Sequence, residues 1–137
     1  MALTHLLDTS VLTRLRESSI RDMVEPLVEL GQLGRAGISD LEVGFSARNG
    51  AEWNSLIDAL EIFELVETTS EHVQRAKQVQ RLLASKHQRG RKLPDLLVAA
   101  AAEAMTLTVL HYDADFDLIA GVTGQSCEWV VPAGSVD

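Results

Sequence analysis

The chain has 137 residues and a formal net charge of −8 at pH 7, with 46% hydrophobic and 23% charged residues. This length predicts a single domain over residues 1–137 with one hydrophobic core, and the composition excludes a disordered chain. The acidic balance argues against a protein that coats nucleic acid through its phosphates, although it is compatible with clustered carboxylates that bind divalent cations.

The chain begins with a short apolar segment that ends at a polar cluster. Residues 3–7 predict a strand, and Asp8, Thr9 and Ser10 follow it as residues that favour the start of a helix over residues 11–17. Asp8 is therefore expected at the carboxyl end of a strand.

Two more elements precede a second acidic motif. A helix is predicted over residues 21–33, and a short strand over residues 36–38. The apolar residues expected on the core-facing side of this helix are Met23, Leu27, Leu30 and Leu33. The Ser-Asp-Leu-Glu sequence of residues 39–42 has the form of a helix capping box, which would place Glu42 in the first turn of the next helix.

The rest of the chain continues to alternate helices and strands, as is typical of an α/β fold with a largely parallel sheet. The predicted helices cover residues 52–60, 71–83, 94–105 and 116–120, and the predicted strands cover residues 63–66, 106–112 and 127–131. Pro94 fits the first position of its helix, with Asp95 one residue further in. Asp113 and Asp115 follow the strand predicted over residues 106–112.

Four carboxylates occupy comparable places in this pattern. Asp8 and Asp113 end strands, whereas Glu42 and Asp95 open helices. Because ligands of open α/β sheets bind outside the carboxyl ends of the strands, we expect these residues to converge at one edge. Clustered carboxylates repel one another unless they are protonated or bind cations, and such hard oxygen ligands suit Mg²⁺ or Mn²⁺. Each residue alone is better explained as a cap or turn residue, so only the set of four indicates a metal site.

The sequence contains no sign of a membrane segment. The longest apolar run, residues 96–102, is too short to cross a bilayer, and the first residues lack the pattern of a signal peptide. We therefore expect a cytoplasmic protein without membrane association. The one cysteine, Cys127, excludes an internal disulfide and a thiolate metal cluster.

Four segments together resemble the successive motifs of PIN-domain toxins of the VapC type. They are Leu-Leu-Asp-Thr-Ser-Val at residues 6–11, Ser-Asp-Leu-Glu at 39–42, Leu-Pro-Asp-Leu-Leu-Val-Ala-Ala at 93–100 and Tyr-Asp-Ala-Asp-Phe at 112–116. Each motif is short, but their order and spacing match the family over nearly the whole chain. The resemblance implies a three-layer α/β/α fold with a central, mainly parallel sheet of four to five strands.

The resemblance also implies an activity and its partners. VapC-type toxins are endoribonucleases that depend on Mg²⁺, for which Mn²⁺ substitutes, and they inhibit translation by cutting transfer RNA, ribosomal RNA or other single-stranded RNA. The resemblance assigns Asp8, Glu42, Asp95 and Asp113 to the catalytic metal pocket, with Asp115 as a fifth metal ligand. It also implies that Thr9 or Ser10 orients Asp8. The expected partners are a homodimer mate and a VapB-type antitoxin that covers the acidic pocket. The number of metal ions stays open.

A basic segment precedes Asp95 and offers a contact for RNA. Its cationic residues are Lys86, Arg89, Arg91 and Lys92. They would bind phosphates that flank the scissile one. Cations at the end of a helix are equally explained by the helix dipole and by solubility, so both interpretations stand.

Three other classes of protein share some of these features. A receiver domain of a response regulator requires adjacent acids after the first strand and a lysine at the end of the last strand, and neither is present. A phosphatase of the haloacid-dehalogenase type requires an acid two residues after Asp8, where Ser10 stands. The remaining alternative is a non-catalytic PIN-like acidic module that acts through a protein partner. Loss of one of the four acids would be its mark, and all four are present.

Overall fold

Five parallel strands form the centre of the molecule in the computed structural model, which describes residues 2–137. The strands are β1 His5–Leu7, β2 Leu33–Ala36, β3 Glu64–Val66, β4 Thr108–His111 and β5 Cys127–Trp129. Their order in the sheet is β3-β2-β1-β4-β5, and every neighbouring pair is parallel. Since successive side chains of a strand point to opposite faces, Leu6 and Leu7 enter two separate hydrophobic clusters.

Seven helices cover the two faces of this sheet. They are α1 Thr9–Leu12, α2 Ser18–Glu29, α3 Gly37–Phe45, α4 Gly50–Leu60, α5 Ser70–Ser85, α6 Leu93–Ala104 and α7 Asp115–Thr123. Helices α5, α6 and α7 pack with Leu6 in one cluster, and α1, α2 and α4 pack with Leu7 in the other. The predicted three-layer α/β/α fold is confirmed. None of these helices, within residues 2–137, has the length and apolarity needed to cross a membrane.

The strand order changes direction between β1 and β4. From β1 the chain proceeds through β2 to β3 on one side, and it then returns to β4 and β5 on the other side. In open α/β sheets such a switch leaves a crevice at the carboxyl ends of the two central strands, where ligands bind. Asp8 and Asp113 follow those two strands directly or within two residues.

The predicted core face of α2 was wrong in part, because only Leu27 packs against the core from this helix as predicted. Met23 and Leu30 are exposed, whereas Ile20 and Val24 are buried. Two apolar stripes with helical spacing overlap in this segment, and the periodicity alone does not decide which stripe meets the sheet. The helix also ends earlier than predicted, because Gly31 adopts a positive φ of 65°, so Leu33 begins β2 instead of ending α2.

The capping box predicted at residues 39–42 was also wrong. Strand β2 ends at Ala36, so α3 begins at Gly37 and its N-cap residue is Ala36. Ser39 is completely buried inside the helix and lies 2.9 Å, oxygen to oxygen, from the hydroxyl of Thr9. Glu42 therefore lies in the second turn of α3 rather than in the first.

Two further boundaries differ from the sequence prediction. Helix α1 ends at Leu12, before the predicted end at residue 17, and turns connect it to α2. Helix α7 continues to Thr123, so the loop predicted over residues 121–125 begins only at Gly124, whose φ of 73° ends the helix. The strand predicted over residues 36–38 was misplaced, because β2 covers Leu33–Ala36 and residues 37 and 38 belong to α3. The remaining strands and helices lie where the sequence predicts them, within a few residues at each end.

Candidate functional site

Four acidic residues from four elements line one depression at the carboxyl edge of the sheet. The depression measures about 150 Å³ and its acidic residues are Asp8, Glu42, Asp95 and Asp113. Asp8 follows β1 and Asp113 follows β4, and these strands are neighbours, with Leu7 paired to Leu110. Glu42 comes from α3 and Asp95 from the first turn of α6. The structure thus brings together the four carboxylates that the sequence singled out.

Asp8 and Asp95 are the two most deeply buried of these four acidic residues. Its Oδ2 accepts a hydrogen bond of 2.9 Å from the backbone N–H of Ser10, which makes Asp8 the N-cap of α1. Its Oδ1 is buried without a hydrogen-bond partner among the described residues. Burial raises the pKa of Asp8 above its usual value, and the nearby charges of Glu42 and Asp113 raise it further. An unpartnered buried carboxylate oxygen fits a cation as its missing neighbour.

Asp95 has a second oxygen of this kind. Its Oδ2 is buried and makes no hydrogen bond, although the Nζ atom of Lys92 lies 3.5 Å away. Burial, followed by the charges of Asp8 and Asp113, raises the pKa of Asp95 to about 7. With a pKa of about 7, the carboxyl group is about half protonated near neutral pH, and a cation that binds there must displace the remaining proton.

Lys92 supplies a positive charge inside the acidic cluster. Its Nζ atom lies 2.6 Å from Asp113 Oδ2 and 3.3 Å from Asp115 Oδ2. Burial raises the pKa of Asp113, but the hydrogen bonds from Lys92 and from the backbone of Asp115 outweigh it and leave this pKa below its usual value. Asp113 is thus ionised, and its charge is balanced by the ammonium group.

Asp95, Asp113 and Asp115 have the spacing of metal ligands. One carboxylate oxygen from each lies within 4.8 Å of the others. Asp8 lines the same depression but is not part of this triplet, and Asp115 belongs to the triplet without lining the depression. The two groups share Asp95 and Asp113, which makes these two residues the centre of the site. Hard oxygen donors of this kind suit a divalent cation such as Mg²⁺ or Mn²⁺.

Thr9 and Ser10 contact different acids. The Thr9 hydroxyl lies 2.6 Å from Glu42 Oε1, so Thr9 fixes Glu42 rather than Asp8. Ser10 contacts Asp8 through its backbone N–H, and its hydroxyl accepts a hydrogen bond of 2.9 Å from the backbone of Tyr112. Ser10 therefore connects the ends of β1 and β4 beneath the two aspartates.

Sequence reasoning missed part of the support around Asp113. His111 is completely buried, and its Nδ1 accepts a hydrogen bond of 3.2 Å from the backbone N–H of Asp113. Lys92 was expected to contact RNA, but its side chain reaches the acids. Its position three residues before Asp95 in a helix start was a signal for that contact. Lys86, Arg89 and Arg91 do not line the acidic depression.

Binding of a divalent cation should depend on pH, because the cation requires ionised carboxylates. The raised pKa of Asp95, about 7, means that the metal must displace a proton at lower pH. The dissociation constant for Mn²⁺ should therefore fall roughly tenfold for each pH unit up to about pH 7 and then level off. Calorimetric titrations in buffers of different ionisation enthalpy measure both the affinity and the released proton. An affinity that stays constant between about pH 5.5 and 8 would contradict this assignment.

Comparison with known proteins agrees with this geometry. Residues 5–122 match the model of the PIN domain family. The chain is 61% identical to Ribonuclease VapC51 of Mycobacterium tuberculosis over 137 residues, which cover 100% of both chains.

Solved structures show the same fold at low sequence identity. A chain in the crystal structure of VapBC2 from Rickettsia felis, bound to a promoter DNA fragment, superposes with a TM-score of 0.77 at 18% identity, covering 94% of this chain and 99% of that one. A chain of VapBC-5 from Mycobacterium tuberculosis, a member of the VapBC family of toxin-antitoxin systems, gives a TM-score of 0.62 at 20% identity over 93% and 95% of the two chains. The matched family model covers most of the chain, and the chain belongs to the PIN domain family.

Proposed function

We propose that this protein is the toxin of a type II toxin-antitoxin pair and acts as a metal-dependent endoribonuclease. The observation that carries the proposal is the convergence of Asp8, Glu42, Asp95 and Asp113 in one depression, with two buried carboxylate oxygens that lack hydrogen-bond partners. The name of the relative from Mycobacterium tuberculosis, a ribonuclease, supports the same activity. The substrate is RNA, with transfer RNA or ribosomal RNA as the expected targets, and cleavage inhibits translation.

Asp95 and Asp113 would hold Mg²⁺ or Mn²⁺ together with Asp8 and Asp115, and Glu42 lies next to them. When bound, the ion polarises a phosphate oxygen and lowers the pKa of a bound water. Asp95 must lose its proton for this set to bind a cation, because its pKa is about 7. Without compensation the acids would repel the RNA phosphate.

The chain's own residues fix these acids before substrate arrives. The backbone of Ser10 orients Asp8, and the hydroxyl of Thr9 orients Glu42. The backbone of Asp115 donates a hydrogen bond of 2.9 Å to Asp113 Oδ1. Catalysis by bound ions depends on such fixed ligands, since their geometry is then set before the reaction begins.

The experiment that tests this function is cleavage of total cellular RNA by the purified protein, with fragment ends mapped. We expect discrete cuts in the presence of Mg²⁺ or Mn²⁺ and none with EDTA. The fragments should carry 5′-phosphate and 3′-hydroxyl ends, as the family resemblance implies, because water attacks the phosphorus and the bond to the 3′-oxygen breaks, with that oxygen leaving as the hydroxyl. If the protein binds the metal but leaves RNA intact, it is the non-catalytic acidic module that acts through a protein partner.

The proposed partners follow from the charge of the site and from the similar structures. A VapB-type antitoxin would cover the acidic pocket with a basic side chain, as the net charge of −8 favours a basic partner. The similar fold of VapBC-5, from a family of toxin-antitoxin systems, supports such a pair. We further propose a homodimer, a single domain over the whole chain and a cytoplasmic location.

A further inference from the structure

The positive charges of this acidic protein are concentrated in one segment. Residues 72–94 contain seven of the 12 lysines and arginines and none of the 20 acidic residues. The seven are Arg75, Lys77, Arg81, Lys86, Arg89, Arg91 and Lys92. This segment comprises most of α5 and its connection to α6. The surface around it therefore attracts anions although the molecule as a whole repels them.

Three of these residues surround a second depression, of about 440 Å³. It is lined by Lys77, Arg81 and Arg91, with Gln80 and Ala84 between them, and it contains no carboxylate. Lys77 and Arg81 lie four residues apart on one face of α5, and Arg91 comes from the connection to α6. We call the three cations around this space the cationic depression.

These cations have no partner among the residues that the structure describes. Over residues 2–137, Lys77, Arg81 and Arg91 are exposed and form neither an ion pair nor a side-chain hydrogen bond. Their neighbour Arg75, by contrast, is paired with Glu103 at 2.7 Å. In a chain with excess acid, three unpaired cations around one concave surface provide a site for an external anion.

Two residues adjacent in sequence line the cationic depression and the acidic one. Arg91 lines the first, and the next residue, Lys92, lines the second and contacts Asp113. Adjacent Cα atoms are about 3.8 Å apart, so the linings of the two depressions adjoin each other at residues 91 and 92. A ligand with regularly spaced anionic groups suits this arrangement, and the only apolar side chain in the lining is Ala84.

We propose that Lys77, Arg81 and Arg91 bind phosphates of the RNA strand next to the phosphate that is cut. This inference rests on the proposed ribonuclease function and adds the surface that binds the substrate. The proposal assigns RNA binding to only part of the basic segment. Arg91 belongs to the RNA-binding surface, whereas Lys86 and Arg89 line neither depression. Phosphate contacts of this kind position the strand without reading its sequence.

The test compares two double variants, Lys77→Gln/Arg81→Gln and Lys86→Gln/Arg89→Gln. Each removes one lysine and one arginine from the same exposed segment, so the change in net charge is equal. The probe is a fluorescein-labelled single-stranded RNA of mixed sequence, about 20 nucleotides long, and its anisotropy is measured in EDTA at several salt concentrations. Thermal melting of each variant checks that the fold is kept.

The Lys77/Arg81 variant should bind the probe about tenfold more weakly at about 0.1 M salt. The slope of log affinity against log salt should become shallower by about 1.4, since each lost phosphate contact accounts for about 0.7 on single-stranded RNA. The Lys86/Arg89 variant should lose less than about threefold. Equal losses in both variants, or no loss in either, would overturn the proposal.

Two further outcomes separate this inference from the function on which it rests. If the wild-type protein cleaves RNA and the Lys77/Arg81 variant binds and cleaves equally well, only the assignment of the RNA-binding surface is wrong. If the wild-type protein neither binds nor cleaves RNA, both proposals fail. Binding of a labelled polyglutamate peptide that depends on Lys77 and Arg81, in the absence of RNA binding, would assign the surface to an acidic protein segment instead.

Discussion

Replacement of Asp95 by asparagine should lower the rate of RNA cleavage by at least about a thousandfold. The substitution keeps the size of the side chain but removes the charge from a residue shared by the metal-ligand triplet and the acidic depression. A catalytic ion contributes several kcal/mol of transition-state stabilisation, and each 1.4 kcal/mol is about tenfold in rate. Single-turnover cleavage at a mapped site in one RNA measures the change.

The matched control for this experiment is Asp22→Asn, an equivalent change at an exposed position of α2 outside the site. The control should cleave at the wild-type rate. An Asp95→Asn protein that retains more than about a tenth of the wild-type rate would show that Asp95 does not hold the catalytic ion.

Divalent metal should stabilise the protein strongly. Without metal, Asp8 and Asp95 are buried beside other acids, and burial raises the pKa of both. Because the pKa of Asp95 is higher in the folded protein than in the unfolded chain, where it is near 4, the protonated carboxyl group favours the folded state at low pH. This contribution to the free energy of unfolding is fully present below the unfolded pKa and is lost as pH rises through about 7. At about pH 8 the metal-free protein therefore carries the full cost of the ionised Asp95. Mn²⁺ at about 100 times its dissociation constant should add about 2.7 kcal/mol, or on the order of 10 °C in melting temperature.

The Asp95→Asn variant provides the opposite pattern in the same melting experiment. Without metal at about pH 8 it should melt at a higher temperature than the wild type, because asparagine carries no charge into the buried position. Its melting temperature should change little when Mn²⁺ is added. An equal metal-induced increase in wild type and variant would place the ion elsewhere on the protein.

The convergence of the acids was predictable because it depends on topology. Asp8 follows a strand that is recognisable from its apolar residues and its polar stop, and so does Asp113. Parallel strands present their carboxyl ends at one edge of the sheet, so the convergence of these acids follows without knowledge of any distance or contact between them. Asp95 follows the same logic, because Pro94 marks the start of its helix.

The contacts around the acids depend on tertiary structure and were not predictable. Glu42 reaches the site from the second turn of α3, because β2 ends three residues before the Ser39 that resembles a cap. The side chain of Lys92 contacts Asp113, 21 residues away in sequence, although it stays exposed to solvent. The buried face of α2 likewise depends on packing, which buries Val24 and leaves Met23 exposed.

Anomalous diffraction from crystals grown with Mn²⁺ tests the central claim most directly, since it locates the ion itself. A peak should lie within about 2.0–2.2 Å of carboxylate oxygens of Asp95 and Asp113, next to Asp8 and Asp115, with the Nζ atom of Lys92 moved away from Asp113. The same crystals of the Asp95→Asn variant should lose this peak. A strong peak elsewhere, with the acidic depression free of metal, would contradict the assignment of these carboxylates as the metal site.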